Sequence, residues 1–115
     1  MDCHIKGWYS DEYFAYLQEL DNVIGVLLSS LTNAGIMDET IIIITGDHGG
    51  YEKQHSSERK ECMESPIVIY GKSIRQGFEI MDPIVQYDIA STIALILALD
   101  IPNSWRGKPI LSAFE

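Results

Sequence analysis

The sequence is short of positive charge and of long apolar runs. Its 8 lysine and arginine residues stand against 17 aspartate and glutamate residues, which gives a formal net charge of −9 over 115 residues. Contacts to phosphate backbones need clustered lysine and arginine, so this balance disfavours nucleic acid as the main partner. The longest apolar run, residues 89–99, is too short to cross a bilayer and contains Ser91 and Thr92. No membrane span is therefore expected.

Cysteine is scarce as well. The two cysteines, Cys3 and Cys62, make neither a disulfide framework nor a Cys-x-x-Cys metal motif. A single bridge between them stays open, although two unpaired thiols are favoured. Residues 1–10 are polar and lack the apolar core of a signal peptide, which leaves the compartment undetermined.

What the sequence does contain is 46% apolar residues, typical of a globular chain, and one domain is expected. Ser10 followed by Asp11 and Glu12 predicts the start of a helix, because a serine cap and early acidic residues suit its positive end. Gly35 predicts its end. Apolar residues recur between them at spacings of three and four, which predicts one apolar stripe: Phe14, Leu17, Leu20, Ile24, Leu27, Leu28 and Leu31.

Two short apolar runs predict β-strands. Residues 40–45 are β-branched throughout and predict a strand buried on both faces, and residues 66–70 predict a second strand that ends at Gly71. A further short strand is predicted at residues 78–80. The order of helix, strand, loop, strand and helix predicts an α/β fold with parallel pairing.

The last third of the sequence predicts a helix and a wrapping tail. Asp88 is expected to cap a helix that continues to about Leu99 and is buried on most sides. Pro102, Gly107 and Pro109 predict a tail that folds back over the domain. A sheet of so few strands would leave exposed edges, which favour further strands or self-association.

Asp47-His48 follows the predicted isoleucine-rich strand directly. Ligands of open α/β sheets bind beyond the carboxyl ends of the strands, and a carboxylate and an imidazole there could bind one cation together. The alternative is a simple turn in which Asp47 bonds to nearby backbone. Flanking glycines are expected to let the chain turn sharply at this point.

His4 and His55 are the only other histidines. With Asp47 and His48 they would supply four nitrogen and oxygen ligands, which suit Zn²⁺ or a similar ion. Spacing alone does not show that they converge. On the residues alone, both would be interpreted as surface histidines.

An ordered set of segments changes that interpretation, because together they resemble the second half of a catalytic domain of the alkaline-phosphatase superfamily. Its sulfatase-like and type I phosphodiesterase/nucleotide pyrophosphatase branches are the most similar. The segments are His4-Ile5-Lys6-Gly7-Trp8, Leu20-Asp21-Asn22-Val23-Ile24-Gly25, Ile43-Ile44-Thr45-Gly46-Asp47-His48-Gly49-Gly50, His55, Ser65-Pro66-Ile67-Val68-Ile69-Tyr70-Gly71, Tyr87-Asp88-Ile89-Ala90-Ser91-Thr92 and Trp105-Arg106-Gly107.

The resemblance implies that residues 1–115 are the C-terminal portion of an alkaline-phosphatase-like metallohydrolase domain, with part of a doubly wound sheet flanked by helices. It also implies two divalent metal ions, commonly zinc, that bridge a phosphate or sulfate ester. Asp47 and His48 match the adjacent pair on the ion nearer the nucleophile. His4 and His55 match the histidines of the second ion.

Two departures from the family pattern limit what this chain can do alone. The aspartate of the Asp-x-x-x-His element would fall just before Met1, and Asp2 does not have the required spacing. The nucleophile and its accompanying aspartate match no segment here, and Thr45 is interpreted as a strand residue. No catalytic nucleophile is therefore assigned, and the chain alone is expected to be inactive.

Three functions follow as hypotheses. By resemblance, the parent protein hydrolyses phosphate or sulfate esters, and this chain supplies metal ligands. Alternatively, the chain is a non-catalytic fragment that associates with other copies and retains some metal binding. A phosphomutase-type relative with the same metal pair is the third. Trp8 is expected beside the entrance to the site, and Trp105 is expected to anchor the tail.

Overall fold

The computed structural model describes residues 5–115, so Met1 to His4 lie outside the description that follows. The chain forms two compact units, one ending at Gly71 and the other comprising Lys72–Glu115.

The first unit begins with a long helix, α1, over Asp11–Asn33. Ser10 is its N-cap, and the Ser10 hydroxyl accepts a hydrogen bond from the backbone N–H of Tyr13 at 3.1 Å. Gly35 follows the helix with φ +70°, a left-handed conformation that favours glycine. Both predicted ends of this helix are confirmed.

The apolar stripe of α1 is largely uncovered. No residue of the helix is buried within its unit, and Phe14 and Leu27 are 54% and 52% exposed. Leu17 and Leu20 of the same stripe are 40% and 39% exposed. An apolar surface of this extent is what proteins use to contact other protein segments.

Two strands follow, β1 over Ile42–Thr45 and β2 over Ile67–Tyr70, and they pair antiparallel with Ile42 opposite Tyr70. The predicted parallel pairing is wrong for this pair. A parallel connection needs a crossover, usually a helix of full length. Between these strands the chain forms only a single helical turn, α2, over Lys60–Met63. β2 therefore starts at the end of the sheet where β1 stops and runs in the opposite direction.

The sheet is less buried than predicted. Ile42 and Ile43 are half-buried while Ile44 and Thr45 are exposed, so β1 is not buried on both faces. The short strand predicted at residues 78–80 does not form, and Gly77 with φ +61° places a turn just before it. Within residues 5–115 the sheet has only these two strands. A pair of strands without a covering layer among residues 5–115 leaves the isoleucines of β1 open on one side.

The second unit contains the helix α3 over Asp88–Ile96, which is shorter than predicted. Ala98 takes φ +52° and ends the helical path before Leu99. Burial on most sides is also wrong, because only Ser91, Thr92 and Ala94 are buried while Leu97 and Leu99 are each 60% exposed. The covered face of α3 is therefore its small-residue face.

The Asp88 side chain forms hydrogen bonds to the backbone of the tail and does not act as the N-cap of α3. Tyr87 is the N-cap residue, and the Asp88 carboxylate accepts hydrogen bonds from the backbone N–H groups of Lys108 at 2.8 Å and Val85 at 3.0 Å. Ile110 in the tail is buried, and the 3₁₀ turn Leu111–Ala113 follows it. The prediction of a tail that folds back is confirmed within this unit. Another 3₁₀ turn, Met37–Glu39, precedes β1 in the first unit.

Replacement of Thr92 by valine is expected to lower the free energy of unfolding by about 2 kcal/mol, because it leaves a buried backbone donor unpaired. The fully buried Thr92 hydroxyl donates to the carbonyl of Asp88 at 2.8 Å and accepts from the N–H of Ile110 at 3.0 Å. Thr32→Val is the matched control, since the Thr32 hydroxyl makes the same backbone bond on an exposed helix face. Urea unfolding followed by circular dichroism measures both, and equal losses for the two variants would contradict the prediction.

Candidate metal centre

The turn after β1 places Asp47 and His48 side by side. Asp47 is exposed and its Oδ1 accepts a hydrogen bond from the backbone N–H of His48 at 3.0 Å. The Nδ1 of His48 lies 2.7 Å from the carbonyl oxygen of Gly49. A carbonyl oxygen only accepts hydrogen bonds, so Nδ1 carries the hydrogen and, in the neutral ring, Nε2 keeps the lone pair.

That lone pair and a carboxylate oxygen are within reach of a common cation. Nε2 of His48 lies 3.5 Å from Oδ2 of Asp47. Two donor atoms on one tetrahedral zinc ion with bonds of about 2.0–2.1 Å are themselves about 3.3 Å apart. Metal-binding histidines also commonly donate their other ring N–H to a backbone carbonyl, as His48 does to Gly49. The pair therefore fits one divalent metal ion in both spacing and tautomer.

His55 lies against the same centre. Its ring stacks on that of His48 with 4.3 Å between ring centroids and 20° between the planes. The Trp8 ring lies 6.4 Å from the His48 ring and 6.2 Å from the His55 ring. The structure thus brings together Asp47, His48 and His55, with the Trp8 ring beside the two histidines. His4 lies outside the described residues.

Three or more metal-binding side chains do not converge as a ready-made cluster anywhere in residues 5–115. Asp47, His48 and His55 are near one another, yet they fall short of a closed site. A complete site would need at least one further ligand from His4 or from another segment.

Gly49 and Gly50 allow this turn to lie in close contact with neighbouring segments. A Cβ on Gly50 would overlap the Trp8 ring, and one on Gly49 would overlap the backbone carbonyl oxygens of Glu61 and Glu64. The N–H of Gly49 also donates to the carbonyl of Cys62 at 3.3 Å. Neither glycine has a positive φ, so their role is close approach rather than the sharp turn expected from sequence.

The loop that carries His55 is held by local contacts. Tyr51 and Gln54 exchange backbone hydrogen bonds at 2.9 and 3.0 Å, which reverses the chain just before His55. The Arg59 guanidinium lies 3.8 Å from the centre of the Tyr51 ring, a cation–π contact. These contacts fix both ends of the segment that leads to His55.

Cys62 packs beneath this loop as a free, buried thiol. The Ser57 hydroxyl donates to its Sγ at 3.2 Å, and the thiol lies 3.7 Å from the Gln54 carbonyl oxygen. Cys62 therefore has a packing role under the loop, while Cys3 lies outside the described part of the chain.

Charge around α2 is locally balanced. The backbone N–H of Glu61 holds the pKa of the Glu61 carboxyl below its ordinary value, with help from the positive charges of Arg59 and Lys60. Arg59 lies 3.6 Å from Glu61, and Lys60 lies 3.5 Å from Glu64. These exposed pairs stabilise little, so the position of α2 rests mainly on the backbone contacts with Gly49.

These features describe a small α/β chain in which side chains of the metal-binding type follow the carboxyl end of a strand. The chain belongs to the type I phosphodiesterase/nucleotide pyrophosphatase family, which matches residues 1–110, and hence to the alkaline-phosphatase superfamily. The family expected from the sequence is confirmed. No helix among the described residues is long and apolar enough to cross a membrane.

Among the curated proteins that the chain resembles are sulfatases. N-acetylglucosamine-6-O-sulfatase of Bacteroides thetaiotaomicron is 32% identical over 114 residues, covering 90% of this chain and 20% of that protein. Arylsulfatase K of Danio rerio is 29% identical over 104 residues, with 86% and 20% covered, and arylsulfatase K of Homo sapiens is 25% identical over 104 residues, with 86% and 19% covered. The chain therefore spans about a fifth of the length of these relatives. No solved structure gives a significant match.

Proposed function

We propose that residues 1–115 form the C-terminal, metal-binding portion of a catalytic domain that hydrolyses phosphate or sulfate esters with divalent metal ions, zinc being the expected metal. The observation that carries this proposal is the Asp47–His48 pair, with Nε2 and Oδ2 3.5 Å apart at the carboxyl end of β1. The family description supports phosphate as the ester group, and the names of the curated relatives support sulfate.

Asp47 and His48 would hold one ion, and His55 together with His4 would hold a second. The stacking of the two imidazoles supports this division. A ring nitrogen directs its lone pair within the plane of the ring, so rings stacked with centroids 4.3 Å apart address different points in space. The offset is close to the spacing of about 3.5–4 Å between the metals of two-metal hydrolases.

Bound metal ions would supply charge stabilisation for the ester oxygens and would activate a nucleophile. The residues of this chain do the positioning. The carbonyl of Gly49 orients the His48 ring by accepting from Nδ1, and the Trp8 ring lies beside both imidazoles. Asp47 contributes the negative charge that favours a cation at this turn.

The nucleophile is proposed to come from a segment outside these 115 residues, and the pair β1–β2 is proposed to be part of a larger doubly wound sheet. Two observations support this. The chain covers about a fifth of its relatives, and the apolar side of α1 is open, with Phe14 and Leu27 more than half exposed. The same exposed surface supports a second candidate function, association with another protein chain without catalysis.

The test is to measure zinc binding and ester hydrolysis on the purified chain. We expect weak zinc binding by titration calorimetry, because few ligands are present, together with a rise in melting temperature as zinc is added. Bis(4-nitrophenyl) phosphate and 4-nitrophenyl sulfate should not be hydrolysed above background. Sustained turnover by this chain alone would disprove the proposal that the nucleophile lies outside these 115 residues. A complete lack of zinc binding would disprove the metal assignment.

A further inference from the structure

A second recess lies next to the metal centre within the first unit. It is a cleft of about 460 Å³ whose lining includes Lys6, Trp8, Tyr9, Glu52 and Lys53. None of these residues is proposed as a metal ligand. The segment before α1 and the segment after the Gly49-Gly50 pair form its two sides.

The cleft and the metal centre share a wall. Trp8 lines the cleft, and its ring also lies 6.4 and 6.2 Å from the rings of His48 and His55. The N–H of Trp8 donates to the carbonyl of Glu52 at 2.6 Å, which joins the two sides of the cleft. The cleft is therefore within reach of a molecule whose ester group sits at the histidines.

The cleft concentrates positive charge in an acidic chain. It holds two of the eight basic residues of a sequence with a formal net charge of −9. Lys6 lies 3.6 Å from Glu12, but both side chains are more than half exposed and the pair is weak. Lys53 forms no ion pair with any residue between 5 and 115. Both ammonium groups can therefore reorient toward an anion, although Glu52 also lines the cleft and its carboxylate would oppose the anion in part.

The cleft also offers flat apolar surface. The ring of Trp8 lies on one wall, and Tyr9 is 58% exposed, so a planar group or the apolar face of a sugar can stack there. Tyr9 and Glu52 have φ of +67° and +51°, and they are two of the four non-glycine residues with positive φ in the described chain. Backbone conformations of this kind cost energy and tend to lie at binding sites.

We propose that this cleft binds the leaving group of the ester and selects leaving groups that combine a flat face with a second negative charge. The inference rests on the proposed hydrolysis at the neighbouring metal centre. Trp8 and Tyr9 would contact the flat face, while Lys6 and Lys53 would pair with the second anion.

Fluorescence binding tests this without requiring turnover. In a Trp105→Phe background, Trp8 is the only tryptophan, so quenching of its emission reports on the cleft. The probes are 6-hydroxy-2-naphthoate, which is flat and anionic, 2-naphthol, which is flat and neutral, and cyclohexanecarboxylate, which is anionic and not flat. Only the first should bind well, and Lys53→Gln or Lys6→Gln should weaken it about five-fold each.

Lys72→Gln is the matched control, because it removes the same charge from an exposed lysine that does not line the cleft. Equal binding of the neutral naphthol, or an equal loss in the Lys72 variant, would overturn the proposal. Zinc titration of the same samples separates the two claims. Lys53→Gln should leave zinc binding unchanged, whereas a wild-type chain that binds no zinc would refute the metal centre and not the cleft.

Discussion

Replacement of Gly49 by alanine is expected to lower the free energy of unfolding of the chain by about 3 kcal/mol, the upper end of the usual cost of overpacking. A methyl group at this position would overlap the carbonyl oxygens of Glu61 and Glu64. Both obstacles are backbone atoms, which cannot turn aside as a flexible side chain can. The loop would have to move away from α2 and would lose the hydrogen bond from Gly49 to Cys62.

Gly25→Ala is the control for this experiment. Gly25 lies inside α1 with nothing within 4 Å of its added Cβ, so alanine should stabilise the chain by about 0.5–1 kcal/mol through helix propensity. Urea unfolding followed by circular dichroism compares the two variants with the wild type. An unfolding midpoint for Gly49→Ala at or above the wild-type value would show that the turn and α2 are not in close contact.

The parts of the fold that were predicted correctly are those with local causes. Ser10 accepts from the N–H of Tyr13 three residues away, and Gly35 ends α1 through its own backbone conformation. β2 starts directly after Pro66 and ends at Gly71, where the chain passes close to the carbonyl of Thr40. Signals of this kind depend on neighbouring residues and can be recognised in a sequence.

Strand pairing and burial could not be predicted in the same way. Residues 40–45 have the composition of a strand enclosed on both faces, yet Ile44 is 36% exposed. The composition of the strand predicts a covered position, whereas the described chain supplies only one antiparallel neighbour. The exposed leucines at the end of α3 have the same explanation, because burial depends on which segments pack against a residue and not on its own composition.

The same distinction between local and long-range causes applies to the candidate site. The position of Asp47-His48 after β1 follows from local sequence and is confirmed, and the resemblance predicted that His55 would be near. Its stacking on His48 and the passage of Gly50 across the Trp8 ring depend on the path of the intervening loop. No spacing in the sequence encodes that path. The cleft beside Trp8 went unrecognised for this reason, since Lys6 and Lys53 are 47 positions apart in the chain.

Replacement of His48 by alanine is expected to weaken zinc binding at least about 100-fold, since loss of groups that merely support metal ligands already costs 10–100-fold. The variant removes the ring nitrogen that faces Oδ2 of Asp47 at 3.5 Å and leaves a single carboxylate at the turn. Asp47→Asn should act in the same direction. Titration calorimetry with zinc measures the affinity of both variants and of the wild type.

Asp38→Asn separates ligand loss from charge loss in this series. Asp38 is an exposed carboxylate in the turn Met37–Glu39, so its replacement changes the net charge as Asp47→Asn does without touching the centre. Equal weakening by both asparagine variants would mean that zinc is held by the overall negative charge of the chain. Unchanged zinc binding in His48→Ala would contradict the metal assignment of the Asp47-His48 turn, which would have to be withdrawn. The hydrogen bond to Gly49 would then orient the imidazole only for packing against Trp8 and His55.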